Sequence, residues 1–125
     1  MNPIEQQFEV LKAYEPEATL ERLPDGLYIV SVPNIDLPNG WSKQSTQIKF
    51  VAPVGYPLAR PDCFWADSDL RLANGNPPQN AQLNPTPPAL SGYLWFSWHL
   101  STWNPNNDNL LTYVNVIKRR LSDPR

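Results

Sequence analysis

Fifteen prolines in a chain of 125 residues limit its fold more than any other feature. Each proline fixes φ and removes a backbone donor, so it belongs in loops, sheet edges and first helical turns. Long uninterrupted elements are excluded, and short strands joined by many loops are expected. Proline at this density also occurs in disordered chains. Here 41% of the residues are hydrophobic, with five tryptophans, five tyrosines and four phenylalanines, which argues for a packed core. A chain of this length forms one domain, residues 1–125, and buries roughly two thirds of its unfolded surface without disulfides or metals.

Ten Lys plus Arg against twelve Asp plus Glu leave a net charge of -2. That balance gives no general attraction to nucleic acid or to an anionic membrane. The tryptophans interleave with few basic residues, which gives no case for single-stranded nucleic-acid binding. No apolar run reaches the roughly 20 residues of a membrane span, and the N-terminus lacks the pattern of a signal peptide. The single cysteine, Cys63, excludes an internal disulfide and a multi-cysteine zinc site. A cytoplasmic protein without metal or cofactor is the expectation.

Residues 3–14 carry Ile4, Phe8 and Leu11 at helical spacing, with Asn2 as N-cap and Pro3 at the first helical position. Strands are expected at 27–32, after the Pro24-Asp25-Gly26 turn, at 44–51, with Ile48 and Phe50 on one face, and at Cys63–Ala66. Asn, Pro, Gly and Gln dominate residues 74–80, and Pro85, Pro87 and Pro88 follow, so 67–92 reads as a long irregular loop. Its 74–88 portion suits a lid or docking surface, or a passive linker. Residues 92–100 are apolar and extended. A last helix follows Trp103-Asn104-Pro105, capped by Asp108, with Leu110, Val114, Ile117 and Leu121 as its apolar stripe. Lys118, Arg119 and Arg120 close it, where cations suit the helix dipole. Helix, strands, long loop, extended segment and helix make an α+β fold with helix on one sheet face.

The polar chemistry concentrates in Trp95-Phe96-Ser97-Trp98-His99, which holds the only histidine. In an extended segment alternate side chains share a face, so Ser97 and His99 point the same way. A hydroxyl beside an imidazole is the minimal pair for an activated oxygen nucleophile. The alternative is that both side chains only satisfy hydrogen bonds in a buried segment. Cys63, flanked by Phe64 and Trp65, reads as a small core residue.

The ordered set of motifs resembles the ubiquitin-conjugating (E2, UBC) fold. Phe50 to Pro57, ending in Tyr56-Pro57, then Pro61-Asp62-Cys63-Phe64-Trp65, look like its strand and Tyr-Pro signature. Trp103-Asn104-Pro105 and the helix beyond look like its Trp-x-Pro element. The likeness runs from about Ile4 to the end. The chain departs from the superfamily at three points: no His-Pro-Asn triplet stands near Asn76-Pro77 or Asn84-Pro85, no cysteine stands in the few residues before Trp103, and the eukaryotic C-terminal helices are missing.

Prokaryotic E2 family E is the more similar branch, being short and carrying a Trp-Ser-x-His-like segment before Trp-x-Pro. The resemblance implies a UBC-like fold: N-terminal helix, antiparallel meander sheet, long loop with the active segment, and C-terminal helix. It also implies an E1-like activating enzyme and a ubiquitin-like protein as partners, and a JAB-type peptidase in the same operon, one of the antiphage defence kind. The outward face of the first helix, Glu5, Gln6, Glu9 and Lys12, is then a candidate contact for the activating enzyme.

Under that resemblance Ser97 becomes the acyl carrier and His99, the one imidazole of the chain, its base. Transfer then runs through an oxyester, which resists aminolysis better than a thioester and points to a hydroxyl instead of a lysine amine as acceptor. A third group should orient His99. Asp108 is the acidic residue nearest in sequence, with Asp62, Asp67 and Asp69 as alternatives. Ser101 and Thr102 are weaker candidate hydroxyls, and Cys63 competes as carrier only through a rearranged site. Lacking the usual cysteine, the chain also suits a catalytically inactive E2-variant binding module.

Overall fold

The computed structural model describes residues 2–84 and 87–125. Its elements are α1 (Pro3–Tyr14), β1 (Thr19–Arg22), β2 (Tyr28–Asp36), β3 (Ser45–Ala52), β4 (Phe64–Ala66), β5 (Ala81–Leu83), a 3-10 turn (Pro88–Leu90), β6 (Leu94–Phe96) and α2 (Leu110–Leu121). The strands form one six-stranded sheet in the order β1-β2-β3-β4-β6-β5, with every pair antiparallel. The expected α+β architecture is therefore present, with two strands more than the sequence pattern indicated.

Both helices start where the caps direct. Asn2 and Glu5 form a reciprocal capping box at α1. At α2 the cap is Asn109, not Asp108: its side chain accepts from the Thr112 amide while Thr112 bonds back to the Asn109 amide. Asp108 instead accepts a hydrogen bond from the Asn104 amide at 2.7 Å, closing the turn before the helix.

The sheet is covered on both sides. Ile4, Phe8 and Leu11 of α1, together with Leu110, Tyr113, Val114 and Ile117 of α2, pack on Val30, Val32, Ile48, Phe50, Phe64 and Phe96. The alternate side chains, Ile29, Val51, Trp65 and Trp95, face the other way and gather under Leu90 of the 3-10 turn. This is the period-two alternation of a pleated sheet. Of the segment 67–92 expected to be irregular, β5 and the 3-10 turn are regular, and Leu72 bridges to Trp41. Pro85 lies outside the described residues. Among the described residues no helix is long and apolar enough to cross a membrane.

Cys63 falls just outside β4 and has φ of 64°, in the left-handed region. A side chain there is strained by roughly 1–2 kcal/mol, so its neighbours must hold it. Its amide donates to the Trp98 carbonyl at 3.0 Å. The Tyr113 hydroxyl of α2 donates to the Cys63 carbonyl at 2.8 Å and lies 3.3 Å from that of Trp98. Helix α2 thus pins together the two segments that carry the polar residues.

Candidate functional site

Strand β6 ends at Phe96, but the chain stays paired one residue further, because the Ser97 amide donates to the Asn80 carbonyl at 2.8 Å. Trp98 turns into the core, where the Arg120 guanidinium stacks 5.3 Å from its ring. The Ser97 hydroxyl is 3.4 Å from His99 Nε2. That is the long end of hydrogen bonding, common in unliganded sites. The other ring nitrogen, Nδ1, contacts the Asp62 carboxylate.

The order hydroxyl, imidazole, carboxylate is that of a nucleophilic triad. With Asp62 holding a proton on Nδ1, Nε2 is left as the acceptor facing Ser97. His99 and Asp62 side chains are 55% and 54% exposed, so a reacting group has direct access. Ser97 borders a shallow depression shared with Asn80, Ala81, Gln82 and Trp95. His99 borders a larger groove of about 440 Å³, walled by Trp98, Leu100, Val116, Arg119 and Arg120.

The structure therefore brings Ser97 and His99 together as their spacing indicated, and sets a carboxylate from another segment against the far ring nitrogen. Asp62, left open among the alternatives, sits against His99, whereas Asp108 is engaged with Asn104. Asp67 and Asp69 both pair with Lys43, at 2.7 and 3.0 Å. Their hydrogen bonds raise the Lys43 pKa above its ordinary value.

Cys63 is not the core residue its neighbours suggested. It is half-buried, and its sulfur lies within 4.8 Å of a ligand atom of both Asp62 and His99. Burial pushes the thiol above its ordinary 9.0, with the charge of Asp62 adding to the rise, against hydrogen bonds from the Trp98 backbone and the Trp95 side chain. Consecutive residues of a strand point to opposite faces. The left-handed turn at Cys63 breaks that alternation, which is how Asp62 and Cys63 both reach His99. A non-glycine in a left-handed conformation has no signature in the sequence.

The Tyr-Pro and Trp-x-Pro elements also meet. The Trp103 indole donates to the Pro57 carbonyl at 2.8 Å, and its ring lies 5.9 Å from that of Tyr56. Burial, reinforced by the nearby charge of Asp108, pushes the Tyr56 hydroxyl well above the usual phenol range. Residues 6–123 match the family model described as Prokaryotic E2 family E. No curated protein and no solved structure matches the chain.

Proposed function

From the premise that the chain belongs to prokaryotic E2 family E, we propose that it accepts a ubiquitin-like protein from an E1-like activating enzyme and carries it as an oxyester on Ser97. The observation that carries this reading is the open Ser97–His99–Asp62 array. Ser97 Oγ attacks the carbonyl carbon of the activated cargo while its proton passes to His99 Nε2. The oxyester bond forms, the bond to the activating enzyme breaks, and the leaving group departs with the proton from the imidazolium. Asp62 stabilises that imidazolium and keeps the ring oriented. An acceptor hydroxyl or amine then repeats the attack, with His99 again as base.

Cys63 offers a second carrier, because its sulfur shares the imidazole's surroundings. Its raised pKa keeps it a thiol near neutral pH, whereas attack needs the thiolate. Ser97 is preferred as the carrier because its hydroxyl lies against His99 Nε2, the ring nitrogen turned away from Asp62. The binding-module reading rests on the absence of a cysteine from the few residues before Trp103.

The test is to mix the protein with its activating enzyme, ATP and cargo and to examine the product by denaturing mass spectrometry. An adduct on Ser97 that survives thiol reductant, yields to hydroxylamine and is lost in Ser97→Ala is the expected result. A reductant-sensitive adduct persisting in Ser97→Ala would move the carrier to Cys63. Tight cargo binding with no adduct would leave an adaptor.

A further inference from the structure

Asp62, Cys63 and His99 offer one oxygen, one sulfur and one nitrogen donor, and these atoms all lie within 4.8 Å of one another. Zinc bonds of about 2.0–2.3 Å in a tetrahedron place ligand atoms roughly 3.3–3.8 Å apart. Small side-chain rotations close the difference, and both Asp62 and His99 are half-exposed and free to make them. Sulfur, imidazole and carboxylate together suit a borderline-soft divalent ion. Three protein ligands on an open surface leave a fourth position for water, the pattern of an accessible zinc site. Lys43, Asp67 and Asp69 form another charged group, but there the lysine ammonium already bridges both carboxylates.

We propose that Asp62, Cys63 and His99 form a three-ligand site for Zn²⁺, and that an ion bound there switches the Ser97 array off. Binding deprotonates the thiol: the S–H bond breaks, a sulfur–metal bond forms, and one proton leaves to solvent. The ion takes the His99 nitrogen that faces Asp62, displacing the hydrogen bond between them. The remaining ring proton then sits on Nε2, so the atom facing Ser97 becomes a donor and cannot accept its proton. The metal site stands on the three side chains alone. The inhibition rests on the function proposed above.

Titration of the metal-free protein with Co²⁺, and displacement by Zn²⁺, separates the two claims. One equivalent of Co²⁺ should produce a thiolate-to-cobalt charge-transfer band in the near ultraviolet, with release of a proton. Cys63→Ser should abolish the band. His99→Gln, at an exposed position, should weaken binding more than about 100-fold, beyond the roughly 10–100-fold loss typical of an outer-sphere partner. Ser97→Ala should keep the band unchanged. Absence of the band, or its persistence unaltered in His99→Gln, overturns the site. In the charging reaction Zn²⁺ should slow adduct formation, a chelator should restore it, and Cys63→Ser should charge at a rate indifferent to Zn²⁺. Charging by wild type that ignores Zn²⁺, while the cobalt band is present, overturns the inhibition and leaves the site standing. A band with no charging at all identifies failure of the Ser97 reading instead.

Discussion

His99 is held between two oxygens: Asp62 contacts Nδ1 and the Ser97 hydroxyl faces Nε2. Removing the base with His99→Gln should slow charging by roughly 10²-fold or more, as expected for loss of a positioned proton acceptor. Asp62→Asn keeps the shape but favours the wrong tautomer, and a loss of roughly 10-fold or more is expected, well short of a buried triad because Asp62 is half-exposed. Asp108→Asn should act on the thermal stability of the 104–108 turn, which its carboxylate closes. Single-turnover charging of the three variants checks the assignment, and a larger defect in Asp108→Asn than in Asp62→Asn would reverse it. The Ser97–His99 pair was legible because two residues apart in an extended segment is itself a geometric statement. The carboxylate was not, because Asp62 reaches His99 across 37 residues of chain through a kink that no side-chain pattern encodes. Cys63 allows a pH test. Unfolded, its thiol titrates at the ordinary 9.0, and folded it titrates higher. In the interval the folded state holds a proton that the unfolded state releases, so stability falls as pH rises upward from 9.0. Melting curves should show a steeper alkaline loss for wild type than for Cys63→Ser, and equal slopes would contradict the raised pKa.

Helix α2 does more than cover the sheet, because Tyr113 ties both site segments to it through the Cys63 and Trp98 carbonyls. The ring itself packs edge-on against Phe50, with centroids 5.0 Å apart, so Tyr113→Phe removes the hydroxyl and keeps the packing. The Trp98 carbonyl keeps the Cys63 amide, but leaving the Cys63 carbonyl without the hydroxyl should cost roughly 1–3 kcal/mol. The same change should slow charging, since the strained Cys63 backbone and the neighbouring Asp62 lose their anchor. Denaturant melts and charging rates measured together decide it: a stability loss with unaltered charging would make Tyr113 purely structural. Asn109→Ala supplies the contrast, because the cap lies at the helix start; about 1 kcal/mol of stability should go. The helices were readable because caps and 3.6-residue stripes are local signals. Strand β1 was hidden by its exposed Glu21 and Arg22, and β5 by the surrounding Asn and Pro. Both lie at sheet edges, where one neighbour supplies the hydrogen bonds and no buried alternation marks the sequence.

Across the whole molecule, Arg120 joins the outer strand, the last helix and the C-terminal residues into one unit. Its side chain is almost wholly buried and donates to the carbonyls of Asp123, Gln79 and Arg125 at 2.9, 3.0 and 2.9 Å. Its guanidinium also lies against the rings of Trp41, Phe96 and Trp98. Burial lowers its pKa, with the charge of Arg125 adding to the fall, and hydrogen bonds to three carbonyls are what make a cation tolerable there. Sequence pattern placed Arg120 in the last helical turn as a partner of the dipole, and gave no sign of its burial, since arginine is seldom buried unless paired. The contacts that bury it come from residues 41, 79, 96 and 98, and only the folded chain assembles them. Arg120→Met keeps the apolar stem and loses the donors. It should leave the carbonyls short of partners and cost about 3 kcal/mol, the upper range for one unsatisfied group. Because the Gln79 carbonyl adjoins the Asn80 carbonyl that receives the Ser97 amide, the 79–82 segment should loosen with it. Hydrogen exchange should then accelerate at the Ser97 amide in Arg120→Met while the α1 amides remain protected. Uniform acceleration across both would mean that Arg120 supports global stability without specifically fixing the strand beside Ser97.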